Sequence, residues 1–224
     1  AVFSQSAPLD HLSNDLIEII TQVTATDLDG TDITQGNLTW QVSDGNSPAL
    51  ANISQLTFDE NNLIGSAIVK NGSFDVLVGS DEVASVGFAA LGLQPKLTAG
   101  GETIQYQISA DGLTLTAHTG DISSPVFVIE LSATWSATSD SINQAYSFTL
   151  YKAFDQTLSE DIDFTLSVAD FDGDSSNATL TVTVQDADAA TINDINLSVS
   201  EIPSITAFDN TATGSFNVTA SKDP

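Results

Sequence analysis

The sequence predicts an all-β protein built of antiparallel sandwiches. Three observations carry this: short segments that alternate β-branched or aromatic residues with Ser and Thr, turn residues between those segments, and an acidic motif that occurs twice. In chain order the segments are 38–42, 72–78, 103–108, 113–117, 126–131, 145–150, 164–168 and 178–184. Each mixes Val, Ile, Thr, Phe, Tyr or Trp near period two, the pattern of a half-buried strand. Asp111-Gly112 marks a hairpin turn joining 106–108 to 113–115. One helical turn is expected around 83–91, where Ala and Gly are dense. Strand after strand with no helical period between them favours sheet packed on sheet.

The acidic motif shows that the chain is part of a repeat. Thr26-Asp27-Leu28-Asp29-Gly30 returns as Ala169-Asp170-Phe171-Asp172-Gly173-Asp174, with Asp170 lying 143 residues after Asp27. Pro8-Leu9-Asp10-His11 answers to Ala153-Phe154-Asp155-Gln156 at an offset of 145, and Gly72-Ser73-Phe74-Asp75-Val76 to Gly214-Ser215-Phe216-Asn217-Val218 at 142. Leu56-Thr57-Phe58-Asp59-Glu60 resembles Leu197-Ser198-Val199-Ser200-Glu201. Residues 1–45 therefore read as the back part of one repeat, 46–190 as a complete repeat, and 191–224 as the front part of the next. Within the complete repeat, 80–145 is a candidate inserted subdomain.

The charge is lopsided. Thirty acids face four lysines and no arginine, for a net charge of −26. Nucleic acid is excluded as a partner, because phosphate contacts need basic side chains. Two carboxylates about 5 Å apart repel by roughly 0.8 kcal/mol in water and several-fold more at lower dielectric, so acids that cluster need an offsetting charge. Cysteine is absent, which argues against a disulfide scaffold. No apolar run reaches membrane-spanning length, so membrane insertion is not expected, and any export signal would lie outside this stretch.

Aspartates in D-x-D spacing beside a glycine turn several carboxylates toward one point, the arrangement that a hard cation such as Ca2+ favours. Asp170, Asp172 and Asp174 are the fullest set; Asp27, Asp29 and Asp32 form the weaker copy, since Thr31-Asp32 stands where the second motif has Asp174-Ser175. Neither is an EF-hand loop, because the glycine falls at the fourth position and no glutamate stands at the twelfth. Asp186 and Asp188 end a strongly β run where one repeat hands over to the next, and could hold an ion shared by two domains. Glu60 and Glu201 are weaker contributors at matching points of successive repeats. The bland alternative at every one of these places is a solvated polar turn or linker.

Gly79-Ser80-Asp81, Asp111-Gly112-Leu113-Thr114-Leu115-Thr116-Ala117, Tyr146-Ser147-Phe148-Thr149-Leu150 followed by Phe154-Asp155, and Val168-Ala169-Asp170-Phe171-Asp172-Gly173-Asp174 together resemble the repeats of giant bacterial RTX adhesins exported by type I secretion. The resemblance lies in the order and spacing of these phrases over nearly the whole chain. It implies immunoglobulin-like or cadherin-like sandwich repeats at an extracellular bacterial surface, rigidified by calcium and spacing or presenting ligand-binding modules in adhesion and biofilm. The expected partners are neighbouring repeats or other copies of the protein. Two rivals remain: a module that binds a host or cell-surface peptide or glycan, and a filament subunit assembled by strand complementation.

Catalysis finds no support in the sequence. His11 and His118 lie far apart, His11 is replaced by Gln156 in the other copy and reads as a surface residue, and neither G-x-S-x-G nor H-E-x-x-H occurs. A paired-carboxylate glycosidase is a remote alternative. Trp40, Trp135 and Tyr146 offer a sugar or peptide platform, against the commoner reading of buried sheet aromatics.

Overall fold

A computed structural model describes residues 1–7, 9, 11, 16–30, 33–132, 141–199 and 212–220. Its strands, in order, are β1 (Leu16–Thr26), β2 (Ile33–Ser43), β3 (Ala49–Ala51), β4 (Leu56–Asp59), β5 (Ile68–Leu77), β6 (Val83–Phe88), β7 (Thr98–Ala99), β8 (Glu102–Thr103) and β9 (Gln105–Ile108). They continue with β10 (Thr114–His118), β11 (Pro125–Leu131), β12 (Ser141–Leu150), β13 (Glu160–Asp170), β14 (Ser175–Gln185), β15 (Thr191–Ile192) and β16 (Val218–Thr219). The all-β expectation holds.

Two sheets form the sandwich. One has six strands in the order β3-β5-β12-β11-β10-β9, the other four in the order β4-β14-β13-β6. Among the described residues all pairings are antiparallel except β4 with β14, where Leu56 to Asp59 run parallel to Val182 to Gln185. Alternation places Ile162, Phe164, Leu166 and Val168 of β13 inside, facing Phe74, Val76, Phe127, Ile129 and Phe148 of the other sheet. Phe127 is the hub, with ring centroids 5.0 Å from Phe148, 5.4 Å from Phe164 and 5.6 Å from Phe154. Residues 80–145, the candidate inserted subdomain, supply β6 to one sheet and β9, β10 and β11 to the other.

The helical turn expected around 83–91 is strand β6 instead, followed by a short 3-10 turn at Leu91–Leu93. Its small residues have another cause. A Cβ on Gly87 would sit 2.7 Å from the carbonyl oxygen of Gly112, whose oxygen accepts a hydrogen bond from the Phe88 amide at 2.9 Å. The glycine lets the Asp111-Gly112 turn close over β6.

Outside the sandwich, β1 and β2 form a separate antiparallel hairpin. Its pairing repeats that of β13 with β14: Thr26 faces Ile33 as Ala169 faces Ser175, and Val23 faces Gly36 as Leu166 faces Ala178. The two differ in what covers them. Val23 is 50% exposed, whereas Leu166 is fully buried. At the other end Thr191 faces Thr219 and Ile192 faces Val218, as Ala49 faces Leu77 and Leu50 faces Val76 exactly one offset of 142 earlier.

Candidate metal centre

Four chain segments converge beside the β13–β14 turn. His11 comes from the N-terminal segment, Asp44 from the residue after β2, Asp81 from the β5–β6 connection, and Asp172 from the turn itself; one potential ligand atom from each lies within 4.8 Å of every other. Donors that all bind one ion at about 2.0 to 2.6 Å are separated by no more than about twice that length, so the four can share a cation. The structure thus contains a His/Asp cluster able to hold a metal ion.

Local geometry explains how each carboxylate arrives. In the turn, the Gly173 amide donates to Asp170 Oδ1 at 3.1 Å and the Asp170 amide to the Asp174 carbonyl at 3.0 Å. Gly173 has φ of 107°, which a side chain would strain, and this lets the chain reverse immediately after Asp172. On the opposite wall, the Ser80 amide donates to the Asn46 carbonyl at 2.8 Å and the Asn46 amide to Ser80 Oγ at 2.7 Å. This pair of bonds locks the linker carrying Asp44 against the loop carrying Asp81.

The electrostatics record crowding. Burial first, then a hydrogen bond with the Asp172 carboxyl and its charge, push Asp170 up to about 6. Asp81 is also raised, by burial and then by its hydrogen bond with Asp44. Asp172, which takes the hydrogen bond from Asp170, is lowered. Carboxyls that share protons with one another are positioned where a cation would serve both.

His11 is the residue that sequence reasoning misjudged. It is 5% exposed rather than on the surface. Its ring Nε2 lies 3.4 Å from the Val42 carbonyl, while Nδ1 lies 3.8 Å from Asp44 Oδ1 and has no hydrogen-bond partner. Asp44 and Asp81 were also missed, although the repeat signalled the first: Asp44 stands 142 residues before Asp186. Asp81 was visible in the Gly79-Ser80-Asp81 phrase without being read as a ligand.

The expected ligands do not all meet. Asp172 belongs to this centre, Asp170 stands behind it through a hydrogen bond to its carboxyl, and Asp174 turns away and accepts the Ser47 hydroxyl at 2.9 Å. Asp27 and Asp29 lie at the exposed tip of the β1–β2 hairpin, where the Gly30 amide donates to Asp27 Oδ1 at 2.9 Å, the counterpart of the Gly173 to Asp170 bond. Asp32 and Glu201 fall outside the described residues. Asp186 and Asp188 lie past the opposite end of β14, an 11-residue strand, and so about 35 Å from the turn at ~3.3 Å per residue.

That far end repeats half of the centre. The Gln156 amide nitrogen donates to the Val184 carbonyl at 3.2 Å, as His11 does to Val42. One oxygen of Asp186, the counterpart of Asp44, is buried without a hydrogen-bond partner. The Asp188 amide donates to Asn61 Oδ1 at 3.0 Å. Glu60 is fully buried nearby in the chain, with Oε1 accepting from the Phe154 amide at 2.8 Å. Of the expected aromatic platform, Tyr146 is buried with its hydroxyl on the Ser54 carbonyl, Trp40 lies tilted by 32° against Phe3 with ring centroids 5.5 Å apart, and Trp135 lies outside the described residues.

Comparison with protein-family models and with curated proteins finds no match for this chain. Among the described residues, no helix is long and apolar enough to cross a membrane.

Proposed function

We propose that this chain is a structural extender segment of a secreted, RTX-type bacterial surface adhesin, in which immunoglobulin-like sandwich repeats are joined end to end and stiffened by calcium. The observation that carries the reading is the recurrence of one half-joint at both ends of one sandwich: His11, Val42 and Asp44 at the first, Gln156, Val184 and Asp186 at the second. In the first joint these groups, which belong to the hairpin side, face Asp81 and Asp172 of the sandwich. A cation there would tie two successive repeats together through carboxylates from each, fixing their angle. The role is mechanical and needs no catalytic group.

The charge supplies a mechanism for export. With 30 acids on the chain, repulsion disfavours compact joints where calcium is scarce, as in a bacterial cytoplasm, and millimolar calcium outside favours the folded rod by mass action. The partners in this reading are neighbouring repeats or other copies of the protein.

Thermal melting tests it. Calcium should raise the melting temperature well beyond sodium or magnesium at matched ionic strength, because screening is indifferent to ion identity whereas a site of oxygen ligands selects and saturates. Equal effects of all three salts would leave only a solvated acidic surface.

A further inference from the structure

Within the half that the two joints share, one ligand position differs, His11 against Gln156, and that difference bears on which ion each takes. His11 and Gln156 occupy equivalent places, each hydrogen-bonded to the carbonyl of an equivalent valine. A carbonyl oxygen only accepts, so Nε2 of His11 carries a proton in this bond, and in the neutral ring Nδ1 then presents a lone pair. That nitrogen is on a residue that is only 5% exposed and clusters with Asp44, Asp81 and Asp172; it has no hydrogen-bond partner and lies 3.8 Å from Asp44 Oδ1. A buried lone pair beside carboxylates gains nothing from them directly. It becomes favourable when a cation lies between, and holding the second ring nitrogen on a backbone carbonyl is how metal-bound imidazoles are generally oriented.

Resting on the reading of these joints as cation clamps, we infer that the His11 joint is a zinc-class site, binding a borderline dication such as Zn2+ through His11 Nδ1 and one oxygen each of Asp44, Asp81 and Asp172, in preference to calcium. Calcium takes six to eight oxygen ligands and has little use for imidazole nitrogen. A compact set of one nitrogen and three carboxylate oxygens matches the four-coordinate habit of zinc. The Gln156 position offers only an amide oxygen, so the corresponding joint keeps the all-oxygen character that suits calcium. Successive joints of one rod are thereby addressed by different ions.

The full chain tests this with Zn2+, Ca2+ and Co2+ as probes, in a His118→Gln background that removes the other imidazole. Zn2+ should bind at least about tenfold more tightly than Ca2+ at the joint, Co2+ should give the visible spectrum of a site of low coordination number with a nitrogen ligand, and the His11 ring resonances should shift on Zn2+ addition. His11→Gln, which copies the side chain already accommodated at 156, should lower Zn2+ affinity by about tenfold or more, at least the loss seen when an outer-shell partner of a metal is disturbed, and should spare Ca2+ binding. The inference is overturned if Ca2+ binds the joint more tightly than Zn2+, if His11→Gln leaves Zn2+ affinity unchanged, or if the His11 ring ignores Zn2+, as it would were an imidazolium ion pair the whole story. Calcium stiffening with a silent His11 would overturn this inference and leave the extender reading standing. Zn2+ bound at His11 with no effect on the angle between hairpin and sandwich would do the reverse.

Discussion

His11 Nδ1, on the segment before β1, and Asp44 Oδ1, on the linker after β2, lie 3.8 Å apart and share a cluster with Asp81 and Asp172 of the adjoining sandwich. The separation is too long for a hydrogen bond and short enough for both atoms to reach one ion. The β1–β2 hairpin thus meets the sandwich at a point where charge, rather than apolar area, governs the contact.

That geometry ranks the two acidic turns. Asp172→Ala should remove most of the cation-dependent rise in melting temperature, because it deletes a ligand and leaves Asp44 and Asp81 facing each other. Asp29→Ala, at the exposed hairpin tip, should leave that rise largely intact. Calorimetric titration of both variants checks the order, and a larger loss at Asp29 contradicts it.

Asp170 gives a pH dependence of defined sign. Its folded-state value is raised to about 6 from 3.8, by burial first and Asp172 second. Between those values the folded protein holds a proton that the unfolded chain has released, so Asp170's contribution to stability is fully present below about pH 4 and lost as pH rises through about 6. Asp170→Asn keeps an oxygen for the Gly173 amide and removes the titration. Without divalent cations, the variant should gain on the parent as pH goes from about 4 to 7 in denaturant melts. A constant difference across that window speaks against the assignment.

In the six-stranded sheet, Gly72 faces Tyr146, and a Cβ on Gly72 would fall 2.4 Å from the tyrosine ring. Gly72→Ala should therefore cost about 1 to 3 kcal/mol, the range for forcing atoms into a packed site. Tyr146→Phe, which leaves the Ser54 carbonyl without its hydroxyl partner, should cost about 1 kcal/mol. Urea denaturation measures both.

Much of this fold was legible because buried strands declare themselves. The alternation in 126–131, 145–150 and 164–168 survives as β11, β12 and β13 because each strand has one face on the Phe127 cluster. β1 was missed: Leu16-Ile17-Glu18-Ile19-Ile20 breaks the period, and no second sheet covers it to enforce one. β3 and β4 are three and four residues long, too short for a period to show. At the site, the D-x-D spacing found Asp170 and Asp172, which are local to one turn. His11, Asp44 and Asp81 are joined to it only by tertiary structure, and spacing along the chain cannot show which distant loops a turn will meet.

The exposed hairpin also predicts association. The edge of β2 corresponds to the edge of β14 that receives β4 in parallel, and Leu197 and Val199, which answer to Leu56 and Phe58, are exposed at 56% and 58%. These surfaces sit at opposite ends of the sandwich, so they meet between molecules rather than within one. Light scattering should show concentration-dependent association, with slowed amide exchange at 38–42. A monomer at all concentrations with fast exchange there contradicts it.

The central claim is that divalent cations fix the angle between the hairpin and the sandwich. The chain has no cysteine, so Gln22→Cys and Asn177→Cys, both at exposed strand positions, give a unique pair of spin labels across the joint. Pulsed electron paramagnetic resonance should give a broad distance distribution in chelator and one narrow peak once calcium or zinc saturates the chain, with sodium at equal ionic strength having no such effect. An identical distribution in chelator and in saturating calcium and zinc would contradict the account.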